Sequence, residues 1–137
     1  MNYKLINIKT IPTENQGGLS FFEASRDVPF NIKRIYYVYG ANAGTERGSH
    51  AHKTLEQFLF CPCGSIELIL DSGRDKASIV LDNPSEGLFL SKDIWRIIIW
   101  RQKNSVLCVA ASDYYNEDDY IRDYDEFIEY ISSKGSK

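Results

Sequence analysis

The sequence predicts an all-β domain of sandwich or barrel type with a single helix at its C-terminal end. Three observations carry that expectation. Short runs rich in β-branched and aromatic residues recur along the chain, divided by Pro, Gly, Asn and Asp turn signals at close intervals. No helical pattern alternates with them, so nothing is available to cover a parallel sheet. The apolar period changes from two to that of a helix only after residue 116.

Taken in order, residues 4–10 alternate polar with apolar, and residues 12–18 form a loop ending in Gly17-Gly18. Residues 19–24 and 32–39 are the next strands, separated by Pro29. The second, IKRIYYVY, is a strong strand former; its alternation sets Lys33, Ile35, Tyr37 and Tyr39 on one face and Arg34, Tyr36 and Val38 on the other. Residues 46–53 are read as extended, and residues 56–61 and 65–70 as a hairpin turning at Pro62-Cys63-Gly64. Further strands are expected at 77–81, 88–90, 94–100 and 105–111. Tyr120, Ile121, Tyr124, Phe127, Ile128 and Ile131 follow helical spacing, with Glu117, Asp118 and Asp119 where acidic groups suit a helix N-terminus. One amphipathic helix over 117–133 is the expectation, its stripe packed on the sheet.

Composition narrows the function. The 137 residues fit one domain, 1–137, large enough to bury a core, with no repeat and no linker. A formal charge of −3 without a basic block argues against nucleic-acid or membrane-surface binding by bulk charge, while leaving arginines free to hold a small anion. No apolar run reaches the length of a membrane span, and the N-terminus lacks the apolar core of a secretion signal; a soluble, cytoplasmic protein is expected. Cys61, Cys63 and Cys108 give no disulfide framework, and Cys61-Pro62-Cys63 lacks the spacer of common zinc knuckles.

The chemistry concentrates in GTERGSHAHKTLEQFLFCPCG, residues 44–64, which holds His50 and His52, the two histidines of the chain. On an extended strand both imidazoles share a face. Glu56 follows after a short interval that allows a bend, so its carboxylate is a candidate to return beside them. Imidazoles titrating near neutrality beside a carboxylate suit proton transfer or a divalent metal.

The spacing Gly44-x5-His50-x-His52-x3-Glu56-x7-Gly64 resembles the first motif of the cupin superfamily, β-barrels of jelly-roll type. Where the second cupin motif normally supplies another histidine ligand, this chain has Arg96, in Ile94-Trp95-Arg96. A guanidinium repels a cation, so the metal triad is broken and a metal would rest on His50, His52 and Glu56 alone; metal-independent chemistry without a cofactor fits better. Arg47-Gly48-Ser49-His50-Ala51-His52-Lys53, Leu55-Glu56-Gln57, Ala111-Ser112-Asp113-Tyr114-Tyr115 and Asp119-Tyr120-Ile121-Arg122 together closely resemble the dTDP-4-keto-6-deoxyglucose 3,4-ketoisomerases over nearly the whole chain.

That resemblance implies a cytoplasmic enzyme acting on a dTDP-linked 4-keto-6-deoxy sugar. It also implies a dimer exchanging N-terminal strands, and products that become 3-amino-3,6-dideoxyhexoses of surface polysaccharides such as O-antigen, or of secondary metabolites. It assigns His50 as the base at C3, His52 as its proton-relaying partner and Tyr37 as a candidate donor to the enediolate. Arg47 and Arg34 are candidates for the diphosphate, Arg96 for the sugar end, and Trp95 or a tyrosine for stacking on thymine. Positions 16 and 96 resemble those that set the face of C4 protonation; Arg96 matches gluco-forming members and Gln16 matches neither pattern, so the configuration stays open. The alternatives are a 3,5-epimerase of the same nucleotide sugars and a non-catalytic cupin that binds a sugar or nucleotide.

Overall fold

A computed structural model describes residues 1–135. The strands are β1 (Tyr3–Asn7), β2 (Lys9–Pro12), β3 (Gly18–Phe21), β4 (Arg34–Val38), β5 (Glu46–His52), β6 (Gln57–Cys63), β7 (Ile66–Asp71), β8 (Lys76–Leu81), β9 (Glu86–Leu90), β10 (Trp95–Trp100), β11 (Val106–Ala111) and β12 (Tyr120–Ile121); the helix α1 spans Tyr124–Gly135. Two five-stranded sheets form, in the orders β1-β9-β6-β11-β4 and β12-β5-β10-β7-β8, and β2 pairs with β3 in a separate hairpin. Strands β4 to β7 therefore pair antiparallel with β11 to β8 in reverse order, the wrapping of a jelly roll.

The inward side chains of both sheets, among them Leu59, Leu68, Leu70, Leu88, Leu90, Ile98 and Val109, meet around Trp100, which is wholly buried and donates its indole N–H to Ser105 O at 2.9 Å. Each such aliphatic side chain contributes about 1.5–3 kcal/mol through removal from water.

Two expectations from the sequence are corrected. Residues 56–61 and 65–70 do not form a hairpin: β6 lies in the first sheet and β7 in the second. The corner between them is Gly64 at φ +98°, where an added Cβ would lie 2.1 Å from Ser105 Oγ. Ser105 Oγ accepts from Ser65 N–H at 2.9 Å, so a side chain satisfies the turn in place of a strand ladder.

Nor is 117–133 one helix. Its acidic start is a 3-10 turn, Glu117–Asp119, and Tyr120–Ile121 is drawn off as β12, pairing with His52 and Ala51 of β5. The helix begins afterwards, where Asp123 Oδ1 accepts from Glu126 N–H at 3.1 Å. The Asp123-x-x-Glu126 spacing is an N-terminal signal that locates this start. Its apolar stripe does pack on the sheet: Phe127 is fully buried with Ala51, Trp95 and Ile121.

Candidate active site

The site is built on an irregularity in β5. The register between β10 and β5 shifts, pairing Arg96 with His50 and Ile97 with Gly48, so Ser49 is an extra residue. Gly48 at φ +92° and Ser49 at φ +41° make the bulge. Strict alternation would send Arg47 and His50 to opposite faces. With the inserted residue, both line one cavity of about 510 Å³, within the size of small-molecule sites.

That cavity is also lined by Arg34, Tyr36, Val38, Trp100, Tyr115, Tyr120 and Arg122. Three guanidinium groups thus surround it. Arg122 is paired with Glu117 at 2.6 Å and lies 4.1 Å over the Tyr120 ring, and Tyr115 also bonds Glu117. Arg34 sits 5.4 Å from the Tyr36 ring, its Nε buried without a hydrogen-bond partner. One carboxylate against three cations leaves the mouth net positive, as an anionic ligand requires.

The two imidazoles meet edge to face with centroids 4.9 Å apart, and Tyr120 packs on both, at 5.1 Å from His50 and 4.4 Å from His52. Nδ1 of His50 lies 2.6 Å from Gly48 O. A carbonyl only accepts, so Nδ1 carries the proton and Nε2 keeps the basic lone pair. Nδ1 of His52 donates likewise to Asp119 Oδ2 at 3.0 Å, leaving its buried Nε2 without a protein partner. Burial and the nearby Arg96 cation push the His50 pKa down to about 4. The same two causes, with His50 and the Arg34 and Arg122 cations added, take His52 down to about 2. Both rings are neutral at physiological pH.

Asp119, expected from the sequence in a helix start and not beside the imidazoles, is the carboxylate that reaches the histidines. It also accepts from Thr54 N–H at 2.8 Å, Thr54 Oγ1 at 2.7 Å and Leu55 N–H at 3.3 Å. Glu56, the expected partner, instead packs its backbone against Ser112. Among the described residues, no group of three His, Cys, Asp or Glu side chains converges as a metal site. Cupin barrels commonly hold a metal here, but the donors of this chain do not fit one. No third ligand among the described residues joins the two imidazoles, and a buried guanidinium stands beside both of them.

The structure brings His50, Arg34 and Arg47 to the cavity, with His52 behind His50. The other expected residues are placed differently. Tyr37 is 62% exposed on the opposite face of β4, beside Tyr39, and it is Tyr36 that enters the cavity. Alternation had separated these two faces, and the imidazoles lie on that of Arg34 and Tyr36. Trp95 is sealed between the sheet and α1, against Tyr124 and Phe127, so it presents no face for thymine. Tyr115 and Tyr120, 5.8 Å apart, offer the aromatic surface at the cavity. Arg96 is buried behind the imidazoles, donating to Gln57 Oε1 and, at 3.1 Å, to Ile94 O. Gln16 is exposed in the β2–β3 turn, outside the cavity of its own chain.

A jelly roll whose cavity joins a neutral histidine pair to a ring of arginines defines the class: a cupin suited to acid–base chemistry on an anionic ligand. The chain belongs to the family described as "FdtA: WxcM-like, C-terminal", whose model matches residues 1–132. A TDP-4-oxo-6-deoxy-alpha-D-glucose-3,4-oxoisomerase of Aneurinibacillus thermoaerophilus is 43% identical over 132 residues, 96% of this chain and 94% of that protein. The crystal structure of a 3,4-ketoisomerase from Helicobacter canadensis superposes with a TM-score of 0.92 at 45% identity, covering 96% of this chain and 98% of that one. A sugar 3,4-ketoisomerase from Thermoanaerobacterium thermosaccharolyticum, solved in complex with TDP, gives 0.92 at 38% identity over 97% and 96% of the two chains. A dTDP-4-dehydrorhamnose 3,5-epimerase from Bacillus anthracis shares the fold alone, at 16% identity and a TM-score of 0.76 over 87% of this chain and 77% of that one.

Proposed function

We propose that the protein isomerises dTDP-4-keto-6-deoxyglucose to the corresponding 3-keto sugar nucleotide, without metal or cofactor. The observation that carries this reading is the basic Nε2 of His50 on a cavity ringed by Arg34, Arg47 and Arg122. The 4-carbonyl acidifies the proton on C3. His50 Nε2 takes that proton, the C3–H electrons form the C3–C4 double bond, and the carbonyl oxygen becomes an enediolate oxygen. Tyr36 supplies a proton to that oxygen, the role expected of Tyr37 from the sequence. The imidazolium of His50 then protonates C4 while the C3 hydroxyl returns its proton to the Tyr36 oxygen, leaving a C3 ketone, a C4 hydroxyl and both groups restored. Acid–base help of this kind contributes about 10²–10⁴-fold per group. His52, fixed by Asp119, holds His50 and shares its proton.

Arg47 and Arg34 bind the diphosphate as forked donors, and Tyr115 with Tyr120 supports the thymine. Arg96 acts from behind, keeping both imidazoles neutral. Three unpaired cysteines suit a reducing cytoplasm, and the product suits later amination to 3-amino-3,6-dideoxyhexoses. Exchange of N-terminal strands between two copies is supported by the β2–β3 hairpin, where Ile11, Leu19 and Phe21 are exposed; native mass spectrometry tests it, and a monomer at micromolar concentration overturns it.

The test of the activity is His50→Asn. The variant should bind TDP as the wild type does and lose turnover by at least about 10³-fold. Equal turnover in both proteins removes His50 as the base; TDP binding without turnover in the wild type leaves a binding cupin.

A further inference from the structure

Behind the cavity, two buried polar side chains and the half-buried Tyr36, from three strands, form one chain of hydrogen bonds. Arg96 of β10 donates to Gln57 Oε1 of β6, and Gln57 Nε2 donates to the Tyr36 hydroxyl of β4 at 3.0 Å. Arg96 and Gln57 are each 1% exposed, so water does not compete for the bond between them. A guanidinium has five N–H donors and no acceptor, so only the oxygen end of the amide can face it. The amide N–H group must therefore face Tyr36. A phenol oxygen that accepts there turns its own O–H away, and Tyr36 lines the cavity beside His50.

From this geometry we infer that Gln57 is a positioning residue that fixes the direction of the Tyr36 proton. Held by Arg96, it makes the neutral phenol a donor toward the cavity, and once that proton has been given up the same amide N–H supports the Tyr36 oxygen until the C3 hydroxyl returns a proton to it. The inference rests on the ketoisomerase reading, in which the enediolate oxygen is what receives that proton. Without the amide the phenol could turn its proton into the protein, and the developing oxyanion would meet a lone pair. Burial raises the Tyr36 pKa and Arg96 with Gln57 act against that rise, so the phenol stays protonated at neutral pH while its donor strength is sustained.

The direction of the chain is tested by Gln57→Glu, which keeps the side-chain volume and the pairing to Arg96. A carboxylate accepts from both sides, so Tyr36 then donates to position 57 and presents a lone pair to the cavity. The expected result is a fall in kcat of about 10²–10³-fold with KM moving less than about threefold, the signature of a lost oxyanion donor. Tyr36→Phe should give a loss of the same order, and the double variant should fall no further than the worse single one. Losses that multiply, or unchanged kcat in Gln57→Glu, overturn the inference.

A second readout does not need turnover. In protein labelled at the tyrosine ζ carbon, the Tyr36 signal is identified by its absence in Tyr36→Phe. Its ionisation should move to higher pH in Gln57→Glu by at least about one unit, since the phenol then donates to an anion; an unmoved titration overturns the inference. A wild-type protein that fails to isomerise the sugar sinks the proposed function, and the titration then decides the role of Gln57 by itself. If Gln57→Glu does not fold, Gln57→Met removes the orienting amide. A kcat loss of at least about tenfold, not multiplied by Tyr36→Phe, is expected, and wild-type kcat overturns the inference.

Discussion

Replacing Asp119 with asparagine isolates what the carboxylate does for His52. Its two oxygens receive four donors: Thr54 N–H and hydroxyl on one side, Leu55 N–H and His52 Nδ1–H on the other. An amide offers one oxygen and one NH2 group, so Asp119→Asn sets a donor against a donor whichever way it turns. With the NH2 toward His52, the ring loses its acceptor and moves its proton to Nε2, and the relay to His50 is lost. With the NH2 toward Thr54, an immobile backbone N–H is left facing a donor. A hydrogen bond to a charged group contributes about 1.5–3 kcal/mol, and one such bond is forfeited in either orientation. The melting temperature should fall accordingly, by roughly 4–8 °C for each kcal/mol in a domain of up to about 100 residues and somewhat less here. Turnover should fall by about 10²–10⁴-fold, the range of a lost acid–base function. The assay pairs isomerisation rates with nitrogen NMR of the histidine tautomers. Wild-type turnover in a variant whose His52 carries its proton on Nε2 would refute the reasoning.

Four further outcomes follow from the geometry. The folded His50 takes a proton only near pH 4, whereas the unfolded ring does so near 6.5. The neutral pair's stability is therefore intact above pH 6.5 and lost as pH falls toward 4, by about 3 kcal/mol for His50 at 1.36 kcal/mol per pH unit; denaturant unfolding at pH 7 and pH 4.5 measures it, and equal stability contradicts the assignment. The acidic limb of kcat/KM should accordingly lie well below pH 6 in the free enzyme. Gly64→Ala forces a Cβ against Ser105 at a left-handed backbone position and should cost several kcal/mol or prevent folding, read by thermal denaturation; a melting temperature within about 2 °C of wild type contradicts the corner. Arg47→Ala should weaken TDP binding, measured by calorimetry, by about tenfold or more, since a hydrogen bond to a charged group is lost; unchanged affinity removes Arg47 from the diphosphate site.

Much of the fold was legible because its signals are local. Strand runs and turn residues located most of the strands, and the shared face of His50 and His52 followed from alternation in β5. What escaped depends on contacts distant in sequence. The β6–β7 corner looks like a hairpin until Ser105, forty residues on, takes over the backbone groups of Ser65. Tyr120 and Ile121 fit a helical stripe as well as they fit β12, and only their pairing with His52 and Ala51 decides between the two. That pairing also carries Asp119 to His52, which is why the sequence offered Glu56 in its place. Arg47 reaches the cavity through the bulge at Gly48 and Ser49, where one extra residue changes the face. The two faces of IKRIYYVY were separable from the sequence, but which one met the imidazoles was not, hence Tyr37 for Tyr36. Arg96 was legible as a broken metal site, while its bond to Gln57 was not.

The most direct test of the central claim is proton NMR of dTDP-4-keto-6-deoxyglucose with the purified, chelator-treated protein in D2O. The account predicts a 3-keto product, formed by the wild type and lost in His50→Asn, with deuterium at C4 in the fraction of turnovers where the His50 imidazolium exchanges its Nε2 proton with solvent before delivering it. An unchanged sugar spectrum under conditions where the nucleotide demonstrably binds would contradict it, as would exchange confined to C5, the mark of an epimerase.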